Sequence, residues 1–157
     1  MLRVTKLTDY ASVVLTVLAA DPEAVLSAAA LAERAGLEVP TVAKVLKPLA
    51  QAGLVQAFRG VNGGYRLALA PSAITLVEIV EAIEGPLAMT DCSVHDGQCG
   101  IEHSCGARAN WRRINDVVAD ALRNVSLADM LSPVPPLAAR SPRKTIPLAL
   151  DANGGRS

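Results

Sequence analysis

The sequence predicts a mainly α fold: a winged helix-turn-helix domain, helical with a small β-hairpin wing, followed by a long C-terminal helix suited to dimerisation. Three observations lead there. Apolar residues recur at helical period in three segments before residue 53, punctuated by glycine and proline. Two short β-prone runs, "LVQAF" (54–58) and "YRLAL" (65–69), are then joined by the glycine-rich "RGVNGG". Finally, an amphipathic pattern over 107–124 stands beyond a domain that is already complete.

The first helix is expected over about 6–20, with Leu7, Tyr10, Val14 and Val17/Leu18 on one face, until "ADP" interrupts it. Ser27 is a good N-cap for the second, which carries Ala28, Leu31, Ala32 and Ala35 inward and stops at Gly36. Pro40 suits the first position of the third helix, which presents Val42, Val45, Leu46 and Leu49 to the core and closes at Gly53. Pro48 falls inside that helix and is expected to kink or shorten it, because proline lacks a backbone donor and crowds the preceding turn. After the hairpin, "TLVE" from Thr75 is a capping box opening a fourth helix, with Leu76, Ile79, Val80 and Ile83 on its core face. The long helix over 107–124 aligns Trp111, Ile114, Val118, Ala121, Leu122 and Val125, and "SLAD" at 126 caps a last short turn.

These elements divide the 157 residues into a winged-helix domain (1–84), a cysteine-containing cluster-binding loop (85–106), a dimerisation helix (107–132) and a tail (133–157). The tail is rich in Pro, Gly and Ser without period and is expected to be disordered. No apolar run is long enough to span a membrane, and "MLRVTKLTDYA" lacks the apolar stretch of a signal peptide. The chain is therefore expected in the cytoplasm, where thiols stay reduced and clustered cysteines mark metal or redox chemistry more often than disulfides.

Charge is zero overall, with fifteen basic and fifteen acidic residues, yet it is unevenly placed. Residues 1–70 hold seven Lys/Arg against five acids, while residues 71–106 hold six acids and no Lys or Arg. In a helix-turn-helix the second helix enters the major groove, and neighbouring basic residues hold phosphates. Thr41 and Lys44, near the start of the third helix, are the candidates for base edges, and Lys47 for the DNA backbone. On the wing, Arg59 and Arg66 flank a tip where Gly60, Gly63 and Gly64 permit close approach to phosphate and Asn62 can donate. The Trp111–Val125 stripe either covers the core or pairs with its copy in a homodimer. Pairing would present two recognition helices to a double-stranded palindrome about 34 Å apart.

All three cysteines and both histidines lie in "CSVHDGQCGIEHSC" (92–105). Zinc sites usually contain a C-x2–4-C knuckle, but here Cys92, Cys99 and Cys105 are spaced by six and five residues with glycines between them. Three spread thiolates suit a larger object, an iron–sulfur cluster, with one position left for His95, His103, Glu102, Asp9 or an exogenous group. Alternatives are a zinc- or thiol-redox-responsive regulator and a thiol enzyme; the last lacks a base and an orienting group placed beside a thiol.

"LTDYA", "LAQAGLVQAFRGVNGGYRLA" and the three cysteines before a long helix together resemble the IscR/NsrR-type winged-helix iron–sulfur regulators over about residues 1–130. The opening "MLRVTKLTDYA" and "VPTVAKVLKPLAQAGLV" are most similar to the branch that regulates the SUF iron–sulfur assembly operon. The resemblance implies a DNA-binding repressor rather than an enzyme, with Cys92, Cys99 and Cys105 as ligands of a two-iron or four-iron cluster. The IscR branch carries a histidine three residues after its last cysteine, where this chain has Arg108. The NsrR branch uses an aspartate of the first helix, which places Asp9 first as fourth ligand and His103 next.

Overall fold

The computed structural model describes residues 3–90 and 105–132. Its elements follow the expected order: α1 (Lys6–Ala20), α2 (Ala28–Ala35), α3 (Val39–Gln51), β1 (Val55–Phe58), β2 (Gly64–Leu67), a 3-10 turn (Pro71–Ala73), α4 (Leu76–Glu84), α5 (Arg108–Arg123) and α6 (Leu127–Leu131).

Local capping chemistry explains most of the boundaries. The Thr5 hydroxyl accepts from the Thr8 N–H at the start of α1, and the Ser27 hydroxyl accepts from Ala30 N–H at the start of α2. Gly36 ends α2 at φ 65°, a left-handed conformation that glycine adopts without a Cβ penalty. Thr75 and Glu78 form the capping box of α4, and Ser126 and Asp129 that of α6.

The buried stripe of α1 is Ala11, Val14, Leu15 and Leu18, rotated from the expected face; Leu7, Tyr10 and Val17 flank it, partly buried. Leu31 of α2 and Val42, Val45, Leu46 and Leu49 of α3 complete the centre. Pro48 does not shorten α3, which continues to Gln51. The lost bond is one among many, and Leu46 and Leu49 on either side of it are held by the core.

The hairpin is antiparallel, in register from Val55↔Leu67 to Phe58↔Gly64. It has a third partner. Leu26, just before α2, bridges Tyr65, donating its N–H to the Tyr65 carbonyl (2.9 Å) and accepting the Tyr65 N–H (2.8 Å).

The chain after α5 returns to this domain. Leu76 N–H donates to the Val125 carbonyl and Leu127 N–H to the Ile74 carbonyl, each at 2.8 Å, and Leu127 is fully buried. Leu127 thus packs into the core of the winged domain, whereas α5 itself holds no buried residue. No helix among the described residues is long and apolar enough to cross a membrane.

Candidate nucleic-acid interface

On α3 the core side is taken by Val42, Val45, Leu46 and Leu49, which turns Thr41, Lys44 and Lys47 outward as one stripe at three-residue spacing. Lys44 and Lys47 are exposed and Thr41 half-buried. The wing follows directly. Arg59 and Asn62 are exposed at its tip, while Arg66 lies lower on β2 and is half-buried. Residues 39–77 contain no acidic residue and four basic ones, Lys44, Lys47, Arg59 and Arg66. The helix and wing thus contribute charged side chains of one sign, the arrangement that attracts a polyanion.

The wing glycines have an internal reason to be glycine. A Cβ on Gly64 would stand 2.4 Å from the Leu26 carbonyl oxygen and 2.9 Å from the Ser27 nitrogen, both backbone atoms. One on Gly63 would stand 2.4 Å from the Phe58 carbonyl oxygen. Close approach is needed within the fold itself, whatever else the tip touches.

Of the expected ligands, Cys92, Cys99 and His103 lie outside the described residues. Cys105 is a free, half-buried thiol three residues before α5. Asp9 is exposed in the first turn of α1, and its carboxylate makes no hydrogen bond or ion pair among the described residues. No group of three His, Cys, Asp or Glu side chains among the described residues is placed to hold a metal ion. The two described members are nevertheless accessible and uncommitted, and three thiols with one carboxylate match the donor chemistry of an iron–sulfur cluster.

Sequence reasoning missed Glu84. Its carboxylate, at the last residue of α4, accepts the hydroxyl of buried Thr8 and the Thr5 backbone N–H (2.9 Å), so it ties the entrance of the cysteine segment to the first turn of α1. The partners lie 76 and 79 residues apart, and no local pattern announces them. A second tie runs to α5, where the Asn115 side-chain oxygen accepts the Met89 N–H at 3.1 Å. The Thr8 hydroxyl first, and then the Thr5 N–H, hold the Glu84 carboxyl below the ordinary glutamate value of 4.5. A carboxyl depressed in the folded state adds stability above its unfolded pKa, and that stability disappears as pH falls through the folded value. Glu84→Gln is therefore expected to be less stable than wild type at pH 6. The two denaturation curves should converge toward pH 3, as urea unfolding at both pH values would show.

Helix α5 presents a different surface. None of its residues is buried; Trp111, Ile114 and Val117 are 39%, 43% and 62% exposed. Asn110, Arg113, Ile114, Val117 and Val118 line a shallow apolar groove along it. The stripe seen in the sequence thus splits: Val118 and Leu122 are half-buried, while Trp111 and Ile114 are exposed, as is Val117, which the stripe did not include.

The profile of the Rrf2 family, described as an iron-dependent transcriptional regulator, matches residues 4–133. Protein aau3 of Rhizobium meliloti (strain 1021) is 33% identical over 135 residues, covering 85% of this chain and 88% of that protein. Among solved structures, CymR, the global cysteine regulator of B. subtilis, superposes with a TM-score of 0.64 at 29% identity, over 83% of this chain and 97% of its own. IscR of T. potens superposes with a TM-score of 0.62, also at 29% identity, over 83% and 86%.

Proposed function

This chain belongs to the Rrf2 family of DNA-binding transcriptional regulators, and from that premise we propose that it is a homodimeric repressor of iron–sulfur assembly genes whose operator affinity responds to an iron–sulfur cluster. The observation that carries the DNA half is the outward basic stripe of α3 and the wing, on a segment, residues 39–77, that has no acid of its own. Thr41 and Lys44 reach base edges from α3, and Lys47 contacts phosphate. Arg59, Asn62 and Arg66 hold the flanking backbone, with Gly63 and Gly64 keeping the tip slim enough to lie against it. Two α5 helices pair through Trp111, Ile114 and Val117, which sets the separation of the two α3 helices.

Cys92, Cys99 and Cys105 would hold the cluster, with Asp9 as fourth ligand and His103 next; bound there, it supplies a cross-link that iron starvation, oxidants or nitric oxide remove. The chain's own ties convert the state of this segment into geometry. Glu84 fastens its entrance to α1 and Asn115 fastens Met89 to α5, so a change in the segment is felt at the reading domain and at the pairing helix together. A second reading, a thiol-responsive regulator without a cluster, is supported by the likeness to CymR, named for cysteine regulation, and by the free Cys105.

Anaerobic purification followed by iron and sulfide analysis, with operator footprinting before and after cluster removal, separates the two. Equal iron and sulfide, and a footprint that changes on removal and in Cys99→Ser, is the expected result. A colourless protein whose footprint instead changes with thiol oxidation would establish the second reading.

A further inference from the structure

Arg66 is a wing cation with both an aromatic ring and a carboxylate beside it. Phe58 pairs with Gly64 and Arg66 with Gln56, so Phe58 and Arg66 are diagonal neighbours on one face of the hairpin. Gly64, opposite Phe58, has no side chain and leaves the ring open. The Arg66 guanidinium covers it, its carbon 5.0 Å from the ring centre. On its other side Arg66 Nη1 lies 4.0 Å from a Glu23 carboxylate oxygen.

Glu23 does not reach Arg66 by chance of a long loop. It stands three residues before Leu26, which is hydrogen-bonded in both directions to Tyr65, the residue preceding Arg66. The bridge fixes where the two backbones run and so brings Glu23 within reach of Arg66. The contact itself is loose: the Glu23 side chain is 92% exposed and that of Arg66 33%. Exposed pairs of this kind are weak and easily opened. A planar guanidinium, by contrast, binds phosphate through two parallel N–H donors more strongly than it holds one distant carboxylate oxygen. Glu23 is thus an acid seated beside the one wing cation that is already immobilised, at the margin of a surface otherwise free of acids from residue 39 to 77.

We infer that Arg66 is a phosphate clamp held ready on the Phe58 ring, with Glu23 occupying the phosphate's place in the free protein, so that operator binding exchanges this carboxylate for a DNA phosphate. The inference rests on the DNA-binding role of the wing proposed above. In it Glu23 acts as a placeholder that blunts the wing's attraction for other anions, and Phe58 is a positioning residue that keeps the guanidinium in place during the exchange.

The test is a double-mutant cycle on full-length protein, with operator affinity measured from low to moderate salt. Glu23→Gln is expected to tighten binding by about two- to fourfold, the size of a lost exposed ion pair. Arg66→Gln is expected to weaken it about tenfold and to reduce the salt slope by about one. Glu23→Gln in the Arg66→Gln background should then have no effect. Phe58→Leu should weaken binding only while Arg66 is present, and Phe58→Tyr, which keeps the ring, should restore it. Equal tightening by Glu23→Gln in both backgrounds would overturn the exchange, since it would reflect net charge alone. Weaker binding by Glu23→Gln would also overturn it, because Glu23 would then be aiming Arg66 rather than standing in for phosphate. If wild type binds duplex and Arg66→Gln is neutral, the clamp fails and the DNA reading stands; if wild type binds no duplex, both fail.

Discussion

With α5 paired as proposed, Val117→Asp is expected to convert dimer to monomer and to lower operator affinity by about 100-fold or more. Val117 is 62% exposed on a helix with no buried residue, so a carboxylate there costs the isolated subunit little. In a paired helix the same carboxylate would be desolvated against Trp111, Ile114 and their copies, a cost that an ion pair with Arg113 one turn away does not offset. Loss of pairing removes the second reading helix from each binding event. Linked binding of two half-sites exceeds a single one by about 10²–10⁴-fold, and that advantage is what the variant forfeits. Sedimentation at micromolar concentration and operator titration check the two halves separately, and circular dichroism checks that helicity is kept. A Val117→Asp protein that sediments as wild type would mean that α5 is covered by something other than its copy.

The distinction between readable and unreadable features follows sequence separation. Ser27, Gly36, Thr75 with Glu78, and Ser126 with Asp129 mark helix ends with bonds that span four residues or fewer, and each was predictable because the partner is a near neighbour in the chain. The third strand-like partner of the wing, Leu26 with Tyr65, joins residues 39 apart and carries no turn signal between them. Burial of Leu127 depends on Ile74, and the Glu84 tie depends on Thr8; neither follows from periodicity. Pro48 is the opposite case: its local penalty does not shorten α3, because Leu46 and Leu49 hold the helix to the core on either side of it. The candidate site divides in the same way. The outward stripe of Thr41, Lys44 and Lys47 follows from helix period alone, whereas the setting of Arg66 required the fold.

Glycine at 64 raises the sharpest conflict between two explanations of one residue, and Gly64→Ala is expected to decide it. In the sequence, glycine beside "RGVN" suggests a tip kept slim for DNA. In the fold, an added Cβ would stand 2.4 Å from the Leu26 oxygen and 2.6 Å from its carbonyl carbon, and backbone cannot swing aside as a rotamer does. Relief requires the two Leu26–Tyr65 hydrogen bonds to open. Overpacking of this kind costs about 1–3 kcal/mol and each of the two lost bonds about 1 kcal/mol more, so a loss of about 3–5 kcal/mol is expected in DNA-free protein. That is a large fraction of a small domain's stability. Because Leu26 adjoins Ser27, the N-cap of α2, operator affinity should fall with it. Urea unfolding without DNA separates the causes. A stable Gly64→Ala protein that merely binds its operator poorly would return the glycine to the DNA, whereas unfolding at lower urea in the absence of any duplex assigns it to the seam that fastens the wing to the helices.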